Sequence, residues 1–134
     1  MQISKSTIIK KASEYFNQRS DVLFAYLFGS YANNTATTHS DIDIAVYLAD
    51  GKTNSDQKID ILHSLTIALG VEAIDLVILN QAPITLSMRV FSAHNILIDR
   101  DQNARHRFES LVMRKYFDFS IIEKEILESR YLNG

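Results

Sequence analysis

The chain contains no cysteine, which excludes disulfides, iron–sulfur clusters and thiolate zinc sites. It has no surplus of positive charge either: fourteen Lys and Arg stand against sixteen Asp and Glu, a formal net charge of −2. Broad, charge-driven nucleic-acid binding relies on such a surplus to displace counterions from phosphates, so no strong nucleic-acid binding is expected, although a local basic patch stays open. Long apolar runs are missing too. No stretch approaches the roughly 18 apolar residues of a membrane span, and the start MQISKSTIIKK lacks the apolar core and cleavage site of a secretory leader. These absences set a cytoplasmic location as the expectation. There is no internal repeat, low-complexity segment or linker-like change of composition. The 134 residues suffice for one domain that buries about two-thirds of its unfolded surface. The expected organisation is a single domain over 1–134, with an α/β core over 1–100 and a helical tail over 101–134.

What is present alternates between helical and strand periodicity. Ile8, Ile9, Ala12, Tyr15 and Phe16 follow the spacing of an amphipathic helix within Ile3–Arg19. Val22–Phe28 is a near-continuous apolar run, as in a strand covered on both faces. Tyr31–Ala36 reads as a short helix before a polar loop. Asp41–Leu48 then alternates, placing Asp41, Asp43 and Ala45 on one face and Ile42, Ile44 and Val46 on the other. Asp50–Asn54 reads as a turn-rich linker. From Ser55 a helix turns Ile59, Ile61, Leu62, Leu65, Thr66 and Leu69 inward and closes at Gly70. Val71–Leu79 is a third strand, and strand, helix, strand in this order implies a parallel crossover unit. Pro83 suits the first turn of a helix carrying Ile84, Met88 and Phe91, and Asn95–Asp99 reads as a fourth strand. The last thirty or so residues read as helix, with a break expected near Asp118 and Ser120.

The chemistry concentrates in Leu23–Leu48. Two aspartates at i and i+2 on a strand point the same way, which suits an oxygen-seeking cation. Magnesium is commonly held by one or two carboxylates plus substrate phosphates, so an incomplete protein cage is the normal arrangement. Gly29-Ser30 supplies a complementary half: glycine lets backbone approach a phosphate, N–H groups at a helix start point outward, and the serine hydroxyl adds a donor. Asp75 is a lone carboxylate in an otherwise apolar strand, a costly placement unless it is paired or bound to metal.

Gly29, Ser30, Asp41 and Asp43, with exactly ten residues between the Gly-Ser and Asp-x-Asp pairs, and Asp75 on a later strand together resemble the signature of the minimal nucleotidyltransferases of the DNA polymerase β superfamily. The resemblance covers roughly the first hundred residues and implies that superfamily's fold, a small mixed sheet flanked by helices. It also implies AMP transfer from ATP with release of pyrophosphate, Asp41, Asp43 and Asp75 being catalytic and binding two magnesium ions, and Gly29 and Ser30 contacting the nucleotide. Small members of the family commonly act as antitoxins to a helical HEPN-domain ribonuclease toxin, some by attaching AMP to a tyrosine of that partner. A protein adenylyltransferase antitoxin, assembling with its toxin, is therefore the leading expectation. The alternatives are an antitoxin that acts by occlusion alone, and a nucleotidyltransferase acting on a small molecule.

Simpler roles exist for each residue. In isolation Gly29 is a turn residue, Ser30 a helix N-cap, Asp41 and Asp43 a solvated strand face, and Asp75 a buried partner for Arg89 or Arg100. His39 reads as a solvated loop residue, and His63, His94 and His106 show no paired zinc spacing. Arg89, Arg100 and Arg105 are candidates for phosphate or partner contacts beside ordinary salt bridges. Phe108, Tyr116, Phe117 and Phe119 are expected mainly in the core, with a partner-binding face as the alternative.

Overall fold

Ser4 opens the first helix by accepting a hydrogen bond from the Thr7 backbone N–H at 3.2 Å, which satisfies one of the otherwise orphaned donors of the first turn. A computed structural model of the chain describes residues 3–49, 55–93 and 95–132; the expected linker Asp50–Asn54 and His94 lie outside the described residues. The elements are α1 (Lys5–Asn17), β1 (Val22–Phe28), α2 (Gly29–Ala32), β2 (Ile42–Leu48), α3 (Ser55–Leu69), β3 (Ile74–Ile78), α4 (Ile84–Ser92), β4 (Asn95–Asp99) and α5 (Gln102–Leu132), with a single 3-10 turn at Leu79–Gln81.

The four strands form one sheet in the order β3-β2-β1-β4. β1 pairs antiparallel with β2 and β4, whereas β2 and β3 are parallel, as a strand–helix–strand connection requires. Both faces are covered. Ile8, Phe16, Leu27, Ile44, Ile61 and Leu65 pack together beneath α1 and α3. On the other face Phe24, Tyr26, Phe28, Ala45, Val90 and Val112 pack beneath α4 and the start of α5. Central β1 is thus buried on both sides, which its unbroken apolar run foretells.

Several polar side chains lock the layers. Arg100 donates to the Phe16 and Asn17 carbonyls at 2.6 and 2.7 Å, placing a cation on the carbonyl end of α1. It is therefore no partner for Asp75. Arg19 bridges Asp21 and Asp60, joining the end of α1 to α3. Asn80 accepts from the Leu48 N–H at 2.9 Å and donates to the Leu48 carbonyl at 3.0 Å, continuing the β2 ladder where β3 has ended. Asn80→Ala strands both half-buried backbone groups, and urea unfolding should show a loss of about 1–3 kcal/mol.

Four expectations are corrected. The short helix begins at Gly29 and ends at Ala32, because the Asn33–Asn34 segment leaves the helix, with Asn34 at φ 60°. Ile59 is 63% exposed, since it lies off the Ile61-Leu65-Leu69 stripe that faces the sheet. α5 runs unbroken through Asp118 and Ser120; a single aspartate or serine costs a helix interior only a fraction of a kcal/mol, roughly 0.5. Of the tail aromatics only Phe108 packs against the core, while Tyr116, Phe117 and Phe119 are exposed.

Candidate active site

One transverse row of the sheet carries the chemistry. Phe28, the last residue of β1, is paired with Asp43 on β2, and Asp43 is paired with Asp75 on β3. Gly29 follows Phe28, so glycine and two carboxylates sit at the ends of three adjacent strands. Asp43 shares the parity of Ala45 and Tyr47, and Asp75 that of Val77, all of which belong to the α4/α5 face. Asp41 lies two residues before Asp43, just outside the strand, where the Ile42 N–H bonds the Ala73 carbonyl at 2.8 Å and ties the start of β2 to the approach of β3. The expected residues are thereby brought to one end of one sheet face.

Gly29 has φ +74°, and a Cβ built on it stands 2.9 Å from Asp43 Cγ and overlaps the carboxylate oxygen. The backbone thus has both a left-handed conformation and a close approach that only glycine provides. Ser30 is half-buried in the single turn α2. It is not the N-cap, a position taken by Phe28 with extended backbone; Ser30 lies inside the turn, its carbonyl accepting from the Thr35 N–H at 2.9 Å.

The carboxylates repel one another. Burial, then the charges of Asp75 and Asp41, push the Asp43 carboxyl above the ordinary range, with Arg89 acting the other way. Arg89 belongs to α4 and is exposed, so its charge faces the cluster without neutralising it. Asp75 is exposed rather than buried, because β3 is an edge strand. The desolvation argument for Asp75 therefore fails, and its interest rests on register with Asp43. Among the described residues no group of three or more His, Cys, Asp or Glu forms a ready-made metal cage. A self-repelling set of oxygen donors, Asp43 half-buried and Asp41 and Asp75 exposed, with room left by a glycine, nevertheless fits magnesium whose remaining ligands come from phosphate. His39 lies exposed on the loop before Asp41.

A cavity of about 460 Å³ opens near the same strand ends but on the opposite face, lined by Tyr31, Ser40, Ile42 and Glu72 among others. None of the three carboxylates lines it. On the carboxylate face, α5 is tethered beside the sheet: Tyr26 donates its hydroxyl to Glu109, and Arg105 bonds Asp99 at 2.7 Å and Glu109 at 3.0 Å. Burial and the Glu109 bond hold the Tyr26 phenol well above its usual range. Arg105 thus has a structural role that its sequence position does not reveal.

The sequence profile of the family described as "Polymerase beta, Nucleotidyltransferase" matches residues 10–103, a span that includes Gly29, Ser30, Asp41, Asp43 and Asp75. The chain belongs to this family. Among solved structures this nucleotidyltransferase is similar to a chain of a toxin–antitoxin MntA–HpeT variant, with 28% identity, a TM-score of 0.70 and coverage of 97% of this chain and 99% of that one. A toxin–antitoxin structure with AMP-PNP gives 26% identity, a TM-score of 0.70 and coverage of 96% and 99%. A tri-AMPylated Shewanella oneidensis HEPN toxin in complex with its MNT antitoxin gives 23% identity, a TM-score of 0.68 and coverage of 95% and 98%, a likeness of fold. No curated protein sequence matches the chain. No helix among the described residues is long and apolar enough to cross a membrane.

Proposed function

We propose that this nucleotidyltransferase is an antitoxin that transfers AMP from ATP to a tyrosine hydroxyl of a cognate HEPN-domain toxin in the cytoplasm. The observation that carries the reading is the row Phe28–Asp43–Asp75 across three strands, with Gly29 pressed against Asp43. Support comes from the relatives: one structure contains AMP-PNP, and another an AMPylated toxin.

The backbone N–H groups of Gly29 and Ser30, with the Ser30 hydroxyl, hold the outer phosphates of ATP. Asp41, Asp43 and Asp75 would hold two magnesium ions, which when bound neutralise phosphate charge and lower the pKa of the attacking hydroxyl. Asp75, exposed on the edge strand, is accessible to the incoming tyrosine and takes its proton. The tyrosine oxygen bonds to the α-phosphorus, the bond from that phosphorus to the bridging oxygen breaks, and pyrophosphate leaves with the electron pair. The proton passes from Asp75 to solvent. Catalysis here is chiefly positioning and charge complementarity.

The test incubates the purified chain with α-labelled ATP, magnesium and a HEPN-domain protein, taken from the neighbouring reading frame where that frame encodes one. Label on a tyrosine of that protein supports the proposal. No label, with an active relative labelling its own toxin in parallel, overturns it. The double variant Asp41→Asn, Asp43→Asn should bind the toxin but lose both transfer and neutralisation; neutralisation that persists would assign the antitoxin effect to occlusion.

A further inference from the structure

Helix α5 spans 31 residues, and only its first part touches the body of the protein. Ala104, Phe108 and Val112 pack against the sheet and α4, but every described side chain from Met113 to Arg130 is exposed. At 1.5 Å per residue the remainder reaches about 30 Å beyond Val112. The accessible surface is 8,382 Å², against roughly 7,100 Å² for a compact monomer of this mass. The excess, about 1,200 Å², exceeds one side of a standard interface, about 800 Å².

The overhang is apolar on two sides. The stripe that begins at half-buried Phe108 and buried Val112 continues in phase through Phe119, Ile122 and Ile126, all exposed. Phe117 and Leu127, in phase with Met113, which borders a cavity beside Tyr26 and Phe91, form a second exposed stripe on another side of the helix. A helix apolar on both sides is one enclosed on both sides. Pairing with the same helix of a second copy would cover one stripe and leave the other in water. The solved relatives match at least 95% of this chain, so the likeness extends into α5, and they were observed as toxin–antitoxin assemblies. α5 also leaves the body on the α4/α5 face of the sheet, the face that carries the carboxylates.

We propose that the overhanging part of α5, from Met113 to Arg130, is the toxin-docking element, seated between helices of the HEPN partner and holding that partner on the carboxylate face. The inference rests on the partner named under Proposed function, and its test is separable from that of the catalytic reading. Phe117→Glu and Ile122→Glu place a charge on opposite stripes at positions 64% and 55% exposed, where neither disturbs folding. Binding to the purified toxin is measured by calorimetry, together with thermal unfolding and ATP–magnesium binding. Each variant should weaken toxin binding about 30-fold or more and leave unfolding and nucleotide binding unchanged. Wild-type affinity in both variants overturns the docking proposal even if AMP transfer is intact, and loss confined to Ile122→Glu overturns enclosure on two sides. A dimer of the chain alone that both variants dissociate, with toxin binding unaffected, assigns the surface to a second copy and also overturns it. Binding that depends on α5 without any AMP transfer supports docking and defeats the catalytic reading.

Discussion

Replacing Asp43 with asparagine is expected to lower AMP transfer about 1,000-fold or more while raising the melting temperature of the nucleotide-free protein by about 2 °C or more. Both effects have one cause. Asp43 is half-buried at the centre of a carboxylate row, and burial and the charges of Asp75 and Asp41 raise its pKa above the ordinary range despite Arg89. The folded protein therefore holds a proton at Asp43 more tightly than the unfolded chain does. In the absence of ligands this group costs nothing below its unfolded pKa. Stability is lost as pH rises through the window between the unfolded and the raised folded value, and the penalty persists above it. Asparagine does not titrate, so the advantage of the variant should vanish near about pH 3 and be complete at about pH 8. Thermal unfolding in a chelator at both pH values measures it. ATP and magnesium should reverse the order, because only the wild type gains the stabilisation that ligand binding confers on the folded state. A variant less stable than the wild type at pH 8 without ligand would show that Asp43 is held by favourable contacts rather than strained by its neighbours.

Gly29→Ala is expected to cost both stability and activity, and Gly70→Ala provides the control. Both glycines have a left-handed backbone, φ +74° and +71°, so alanine at either position carries a conformational cost of about 1–2 kcal/mol. At Gly70 a Cβ meets nothing within 4 Å, whereas at Gly29 it runs into the Asp43 carboxylate. Gly70→Ala should therefore lose about 1 kcal/mol in urea unfolding and keep wild-type transfer. Gly29→Ala should lose that amount and more, and its transfer rate should fall about 100-fold, the effect of displacing a reacting group by roughly an ångström. Equal activity in the two variants would mean that the Gly29–Asp43 approach is irrelevant to chemistry.

Much of this architecture is legible in the residues, for local reasons. The apolar run Val22–Phe28 announces a strand covered on both faces, and the alternation from Asp41 to Leu48 places two carboxylates on one face, because both patterns follow from strand geometry alone. The misreadings share a different origin. Asp75 looks desolvated in sequence, yet strand order puts β3 at the sheet edge, and no local pattern encodes strand order. In isolation Ser30 reads as an N-cap of a helix starting at Tyr31, but the turn starts two residues earlier, on Gly29, with Phe28 at the N-cap. The tail aromatics look like core, but α5 runs on past the sheet, so Phe108 alone of the four packs against it and Tyr116, Phe117 and Phe119 stay exposed.

The sequence by itself determined the spacing of Gly29, Ser30, Asp41 and Asp43, the helix and strand periods, and through them the family, since each depends on residues close enough in the chain to share one turn or one strand. Only the tertiary structure decided that Asp43 and Asp75 stand in register, that a Cβ at Gly29 would strike Asp43, and that α5 leaves the body with both flanks bare. Those are contacts, or missing contacts, between different elements of the fold, and they depend on strand pairing and layer packing that no local periodicity specifies.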